Sequence, residues 1–497
     1  MSKKEVYRHL LPLLAYLPLM FLTCGCTVVG PDYEAPELSD KHGDRWQNGQ
    51  EIGGRTSVTG GAPVAQWWEQ FGDSELTRLV NEVVQRNPDL AIAKARIVEA
   101  CLGRSLAGAA RLPYVDLDGK IIQADTGKKA VNPEGPPPGE DATLFSAGGF
   151  AGWELDLWGL VARSVEAADR RYEAEIETYR YVAVSLTAEL VLAYIDVRVL
   201  EERLRILEAN IKLLSKTLEL VEVMYRTGTS TELDVKQIRR QLNRTSALVP
   251  ELGRARSVAA NRIALLLGLP PAENHLADGT LMNVPDIVGV GLPADLLVRR
   301  ADVRRMERRY AATVATVGST EAERYPRVSL SGNLYFQTDD FGTLFQTESI
   351  IYSLGPMLSF PLFDGGRLQT KVEIRQSQAE QARLELEKTL LAAIGEVENS
   401  VVGLIQNQQR VVMLMAAVED AIRSVDLADQ LYQSGLGSLF LVMDAQRELI
   451  MVQDELLVAK QFELGEIVKL YRALGGGWDT LASVGVNDGV EGEGSDG

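Results

Sequence analysis

From Val161 onward the apolar residues fall three and four positions apart, through Val165, Ala168, Tyr172, Ile176, Tyr179, Ala183, Leu186 and Leu190 to Leu214, Leu218, Val221 and Tyr225. An average step of about 3.5 residues keeps one apolar stripe against a partner along a left-handed coiled coil. At about 1.5 Å per residue, a helix of ~65 residues is roughly 100 Å long. No globular core holds such a helix, so the chain must pack lengthwise, helix along helix.

A second stripe, Leu414, Val418, Ala421, Val425, Ala428 and Tyr432, also ends at a Tyr-x-x-Gly turn. The correspondence extends further. Arg111-Leu-Pro113-Tyr-Val115-Asp-Leu117-Asp-Gly119 recurs as Arg324-Tyr-Pro326-Arg-Val328-Ser-Leu330-Ser-Gly332, and Tyr225-Arg-Thr-Gly228 as Tyr432-Gln-Ser-Gly435, at a spacing of about 210 residues. Leu155-Asp-Leu157-Trp158-Gly159 answers to Phe360-Pro-Leu362-Phe363-Asp-Gly365. The sequence therefore carries an internal two-fold repeat, far longer than a solenoid period. Gly228 and Gly435 suit the left-handed residue that ends a helix, so each long helix should fold back into a hairpin at its tip. Pro250 and Gly253 interrupt the first return arm, which predicts two shorter helices there.

Ahead of each long helix lie two alternating segments, about 114–124 and 143–157 in the first copy and 327–338 and 349–363 in the second. A Pro/Gly-rich loop, Pro133 to Gly139, separates the first pair. Four strands cannot close a barrel. An open sheet edge in lipid leaves backbone groups without hydrogen bonds, so strands that enter a membrane require several chains to share one barrel. A small sheet in water is the alternative. No run of 18 or more apolar residues offers a membrane-spanning helix.

The 497 residues carry 69 acidic against 51 basic side chains, a net charge of −18. That balance argues against binding nucleic acid or an anionic lipid surface through bulk electrostatics. The basic run Arg299 to Arg309 is interrupted by Asp302 and Glu307 and is expected to be a solvated helix face. Lys3, Lys4 and Arg8 precede an apolar stretch from Leu10 to Leu22, the charge order of a secretory signal. Leu22-Thr-Cys24-Gly25-Cys26 resembles a bacterial lipobox and makes Cys26 the acylated first residue of the mature chain. Cys101 then remains as the only thiol, expected as a small buried residue. The expected divisions are a signal at 1–25, an extended arm at 26–72, a first repeat at 73–290, a second at 291–478 and a disordered acidic tail at 479–497.

Several motifs in order are similar to the outer membrane factor family, the TolC-like proteins, and especially its NodT and OprM lipoprotein branch. They include Cys26-Thr-Val-Val-Gly-Pro-Asp-Tyr33, Trp67-Trp68 with Phe71, Asp73 and Leu76, Asn87-Pro-Asp-Leu90, Trp153-Glu-Leu-Asp-Leu-Trp-Gly159, Leu297-Val-Arg-Arg-Ala-Asp-Val303, Phe363-Asp-Gly-Gly366, Leu441-Val-Met-Asp-Ala-Gln446 and Leu474-Gly-Gly-Gly-Trp478. Ala301 stands where the family usually has proline. The resemblance implies a mainly α fold with a membrane β-barrel: a homotrimer, four strands per chain completing a twelve-stranded barrel, above a periplasmic coiled-coil tunnel. It also implies a periplasmic adaptor docked on the tips around Tyr225, Gly228, Tyr432 and Gly435, an inner-membrane pump of the RND type, and outer-membrane lipid as partners.

No catalytic constellation, metal cluster or cofactor motif is visible, because His9, His42 and His275 are scattered. An enzyme is not expected. Asp426 and Asp429 lie beside the second stripe and Asp444 on the return arm, where Asp444 matches a gate aspartate of the TolC-like motif. Three-fold symmetry would turn each into a ring of carboxylates, attractive to cations. Glu219 and Glu222 hold the places equivalent to Asp426 and Asp429 in the first copy, so a solvated acidic face is the alternative for that pair. The function that the resemblance implies is a passive exit duct for small molecules. A protein-secretion duct and a channel-less scaffold are the competing readings.

Overall fold

The computed structural model describes residues 28–36, 57–59, 65–125, 141–271, 276–277, 279–285, 287–289 and 299–476. The export signal with Cys26, the Pro133 loop, the acidic tail and His9, His42 and His275 lie outside the described residues. The chain is mainly helical with a few antiparallel strands. In order the elements are β1 (Ser57–Thr59), α1 (Ser74–Arg86), α2 (Pro88–Ala109), β2 (Tyr114–Asp125), β3 (Asp141–Leu155), α3 (Leu160–Arg226), α4 (Glu232–Ser246), α5 (Leu248–Leu266), β4 (Ile287–Gly289), α6 (Ala301–Ala322), β5 (Arg327–Thr338), β6 (Ile350–Ser359), α7 (Arg367–Gln433) and α8 (Leu439–Ala473). Both α3 and α7 are 67 residues long.

Local chemistry sets the boundaries. Asp73 caps α1 by accepting from the Glu75 and Leu76 N–H groups at 2.9 and 3.1 Å. Asn87 does the same for Asp89 at 2.8 Å, so Pro88 occupies the first position of α2, where its missing N–H costs nothing. The first return arm breaks at Ala247, ahead of Pro250 rather than at it. Pro250 falls in the first turn of α5, where N–H groups have no partner in the helix anyway. Strand β6 ends at Ser359 although Phe360, Leu362 and Phe363 continue the apolar run.

The chain divides into two compact units. The first comprises, among the described residues, 28–36, 98–125, 141–174 and 306–385. Its centre is an antiparallel sheet in the order β2-β3-β5-β6. Register makes the sheet two-faced. Leu117 pairs with Gly149, Gly149 with Leu334 and Leu334 with Tyr352, so these side chains share a face with Val115, Ile121, Trp153, Leu330, Leu354 and Leu358. Most of these apolar residues are exposed, Leu117 by 84% and Leu354 by 76%. Asp116, Asp118, Lys120, Asn333, Tyr335 and Gln337 lie on the opposite face, where the Tyr335 hydroxyl donates to Asp118 at 2.5 Å. Among the described residues, β2 and β6 leave open outer edges.

Residues 28–36 are a strap laced to this unit. The Val29 N–H donates to the Trp158 carbonyl at 3.0 Å. Buried Arg163 donates to Asp32 at 2.5 Å and to Glu166 at 2.8 Å. The strap turns at Gly30, with φ of 92°, directly against Gly318, where any side chain would meet backbone.

The second unit comprises, among the described residues, 57–59, 65–97, 175–271, 276–277, 279–285, 287–289, 299–305 and 386–476. Trp67 and Trp68 are 1% exposed, and Trp67 stacks on Tyr471 with ring centroids 5.0 Å apart. Each such burial contributes about 1.5–3 kcal/mol. Asp73 also accepts from the Tyr194 hydroxyl at 2.7 Å, and Arg198 joins that hydroxyl to Glu201. The Trp67-Trp68 motif thus fastens a short turn and the α1 cap to α3 and α8.

In its middle, α3 buries a second column beside the expected stripe: Thr187, Val191, Tyr194, Arg198 and Glu201 accompany Leu186, Leu190, Ala193 and Val197. The run from Arg299 to Arg309 is not a uniformly solvated face. Arg300 is 6% exposed and donates to Asp302 at 2.7 Å, to Glu396 at 2.8 Å and to the Ala473 carbonyl at 2.8 Å. Arg304 pairs with Glu177 at 2.6 Å, and Arg305 lies over the Tyr181 ring. Cys101 is half-buried on α2 rather than buried.

Candidate functional site

The two hairpin tips are built by different local means. At the first, Gly228 adopts φ of 79°, and the Gly228 and Thr229 N–H groups donate back to the Tyr225 and Met224 carbonyls at 3.1 and 2.9 Å. Thr231 and Asp234 then form a reciprocal capping box that starts α4. Partial burial raises the Asp234 pKa, but hydrogen bonds from the Thr231 N–H, Thr231 hydroxyl and Ser230 hydroxyl outweigh it and hold the carboxyl below its ordinary value. At the second tip Gly435 has φ of 76°, and the Leu436 and Gly437 N–H groups share the Leu431 carbonyl at 3.0 and 2.9 Å. Ser438, which precedes α8, makes no side-chain cap.

Both hairpins bury into one cluster. Val221, Val235 and Ile238 from the first meet Ala428, Tyr432, Leu439 and Val442 from the second. The two tip tyrosines part company here: Tyr432 is 8% exposed in the cluster, Tyr225 46%. Apolar surface concentrates on the second tip instead, with Leu436 81% and Phe440 70% exposed.

The three aspartates flank this cluster and remain partly open to solvent. Asp426 on α7 accepts from Arg423 and from Gln430, and Asp444 on α8 pairs with Arg447. Asp429 accepts from the Gln433 amide at 2.7 Å and, among the described residues, has no ion pair. Glu222, its counterpart on α3, bonds Arg239 of the return helix at 2.6 Å. Arg423 and Arg447 escaped the sequence reading, although an arginine three residues from an aspartate on one helix is a legible pairing. Exposed pairs of that kind contribute about 0–1 kcal/mol and exchange partners readily.

Farther from the tip, polar side chains cross between α3 and α8 at seven-residue intervals along α3. Asp196 bonds Gln461 at 2.7 Å, Arg203 bonds Asp454 at 2.6 Å, Asn210 bonds Gln453 at 3.0 Å and Thr217 bonds Gln446 at 3.1 Å. Burial pushes the Asp196 carboxyl up, against the pull of Gln461 and Arg262. These rungs were invisible to an apolar-stripe reading because each partner lies more than two hundred residues away.

The outer membrane efflux protein family profile matches residues 79–269 and again residues 292–476. The solvent efflux pump outer membrane protein SrpC of Pseudomonas putida is 30% identical over 479 residues, covering 94% of this chain and 98% of that protein. Nodulation protein T of Rhizobium leguminosarum bv. trifolii is 31% identical over 484 residues, covering 94% and 97%. Among solved structures, the outer-membrane channel OprN superposes with a TM-score of 0.84 at 30% identity, over 90% of this chain and 99% of that one. Family profile, full-length relatives and superposed channel thus agree over nearly the full length, and the chain belongs to the outer membrane efflux protein family.

Proposed function

We propose that this chain is the outer-membrane channel of a tripartite efflux system in a Gram-negative bacterium, a passive exit duct for small molecules delivered by a periplasmic adaptor and an inner-membrane pump. The observation that carries the reading is the sheet. Its apolar face is exposed, its other face is polar, and its edges are open among the described residues. In lipid such a sheet is stable only when neighbouring copies complete its hydrogen bonds and enclose the polar face. Three chains of four strands make a twelve-stranded barrel, and the long helices of the three continue it as a tunnel. The double match to one family profile supports an internal duplication, with repeats at 73–290 and 291–478. Cys26 is the lipid-bearing residue ahead of the strap.

The tips form the periplasmic entrance and the adaptor's docking surface, with exposed Leu436 and Phe440 of the second hairpin contributing its apolar part. Asp426, Asp429 and Asp444 set the cation preference of that entrance. Since Asp426 and Asp444 carry their own arginines, Asp429 supplies most of the uncompensated charge. Single-channel recording in planar bilayers tests this. Asp429→Ala should reduce cation preference and block by divalent ions from the periplasmic side, more than Asp444→Ala does. Conductance and block unchanged in a variant that combines Asp429→Ala with Asp444→Ala would reduce these acids to a solvated face.

A further inference from the structure

The two ends of the sheet differ in chemistry. At one end β2 begins, β3 ends, β5 begins and β6 ends, and the recurring Arg-x-Pro turns, Arg111-Leu-Pro113 and Arg324-Tyr-Pro326, both fall there. Each turn is latched by a tryptophan: the Trp153 indole N–H donates to the Arg111 carbonyl at 3.0 Å, and the Trp158 indole N–H to the Pro326 carbonyl at 2.7 Å. Trp158 also stacks on Tyr325, centroids 5.0 Å apart. The opposite end instead carries Asp125, Asp141, Asp339 and Asp340.

Both guanidinium groups are exposed, and among the described residues neither has an ion-pair partner. This is not for want of acids near Arg111. It lines a groove of about 350 Å³ between α2 and α3 together with Glu166, Asp169 and Glu173. Each of those acids is already held, Glu166 by Arg163, Asp169 by Arg104 and Glu173 by Arg170. Arg104, Arg111 and Arg170 match the three acids of the groove in number, and Arg111 is the one of them without an ion pair among the described residues. The strap reaches the same end, since Val29, three residues after Cys26, donates to the Trp158 carbonyl.

We propose that Arg111 and Arg324 bind the phosphate of glycerophospholipids at this rim of the sheet, with the Arg111 groove taking the headgroup. The inference rests on the reading that the sheet lies in the outer membrane. Planar guanidinium groups match phosphate oxygens in pairs, and the adjoining Trp and Tyr rings suit the depth at which headgroups meet acyl chains. The net charge of −18 opposes binding only at long range. At physiological salt, charges beyond about 8 Å are largely screened, so the lipid responds to the two unpaired guanidinium groups nearby.

Native mass spectrometry of the full chain, purified in mild detergent and titrated with phosphatidylglycerol, tests the site against two controls. Dioleoylglycerol has the tails without the phosphate, and inorganic phosphate has the reverse. Arg111→Gln with Arg324→Gln should weaken phosphatidylglycerol binding about tenfold, while the Arg→Lys pair, which keeps the charge but loses the planar fork, falls between the Gln variant and wild type. Equal affinity in the Gln variant, or equal binding of dioleoylglycerol, overturns the proposal. Inorganic phosphate that binds as tightly as the lipid also overturns it, in favour of a free-phosphate site. Bilayer conductance of the same samples separates the two levels: pores that persist in the Gln variant while lipid is lost support the site, whereas a wild type that forms no pores sinks the membrane reading itself.

Discussion

Arg300 shows how much one side chain holds together. Its guanidinium joins Asp302, Glu396 on α7 and the last turn of α8. Burial depresses the Arg300 pKa, but hydrogen bonds to Asp302 and Glu396 outweigh it and the group stays cationic. For Asp302, burial raises the pKa, yet the Arg300 hydrogen bonds and charge leave the carboxyl below its ordinary value. A carboxyl with a lower pKa folded than unfolded stabilises fully above the unfolded value of about 3.9, and that contribution is lost as pH falls through the lower folded value. We therefore expect Arg300→Met to cost about 3–5 kcal/mol in chemical denaturation, because it leaves Asp302 buried without its ion-pair partner, holding only the Val303 N–H and the charge of Arg305. Melting temperature should fall more steeply below pH 4 in wild type than in Asp302→Asn, and equal acid limbs would refute the assignment. The sequence hid this knot. Alternating charges in Arg299 to Arg309 look solvated when the partners, Glu396 and the Ala473 carbonyl, are far along the chain.

At the scale of elements, the long helices were legible because a 3.5-residue stripe is a local signal repeated many times, as in Val197, Leu207, Leu214 and Val221, all buried. The tips were equally plain, since only glycine enters the left-handed region cheaply and Gly228 and Gly435 do so. What the stripe could not give was the polar ladder between α3 and α8, nor the second buried column through Tyr194 and Arg198, which depend on pairings across the fold. The Gln446–Thr217 rung has a consequence that can be measured. The Gln446 Oε1 is buried without a hydrogen-bond partner, so the rung offers register rather than large stability. Gln446→Leu and Thr217→Val should each cost under about 1.5 kcal/mol, and the double variant less than their sum by about 0.5–1.5 kcal/mol. Strict additivity in denaturant titrations would show the rung to be incidental.

For the whole molecule, alternation along the four strands revealed a sheet with an apolar and a polar face, while the number of copies that would close the proposed barrel is not written in any one chain. Native mass spectrometry in detergent should give three chains, each bearing the mass of acyl groups on Cys26 when expressed with its export signal. A stable monomer, or an unmodified mature chain, would count against the assembly or the anchor respectively. The open edges of β2 and β6 also have a meaning before assembly. A newly exported chain would present two hydrogen-bond templates and a greasy face, Leu117 and Leu354 among it, to a watery compartment crowded with other unfinished strands. Mispairing grows with concentration and with time spent alone. On the three-chain barrel proposed above, biogenesis would be a race between finding two siblings and aggregating, which would favour an escort that covers those edges until the membrane is reached.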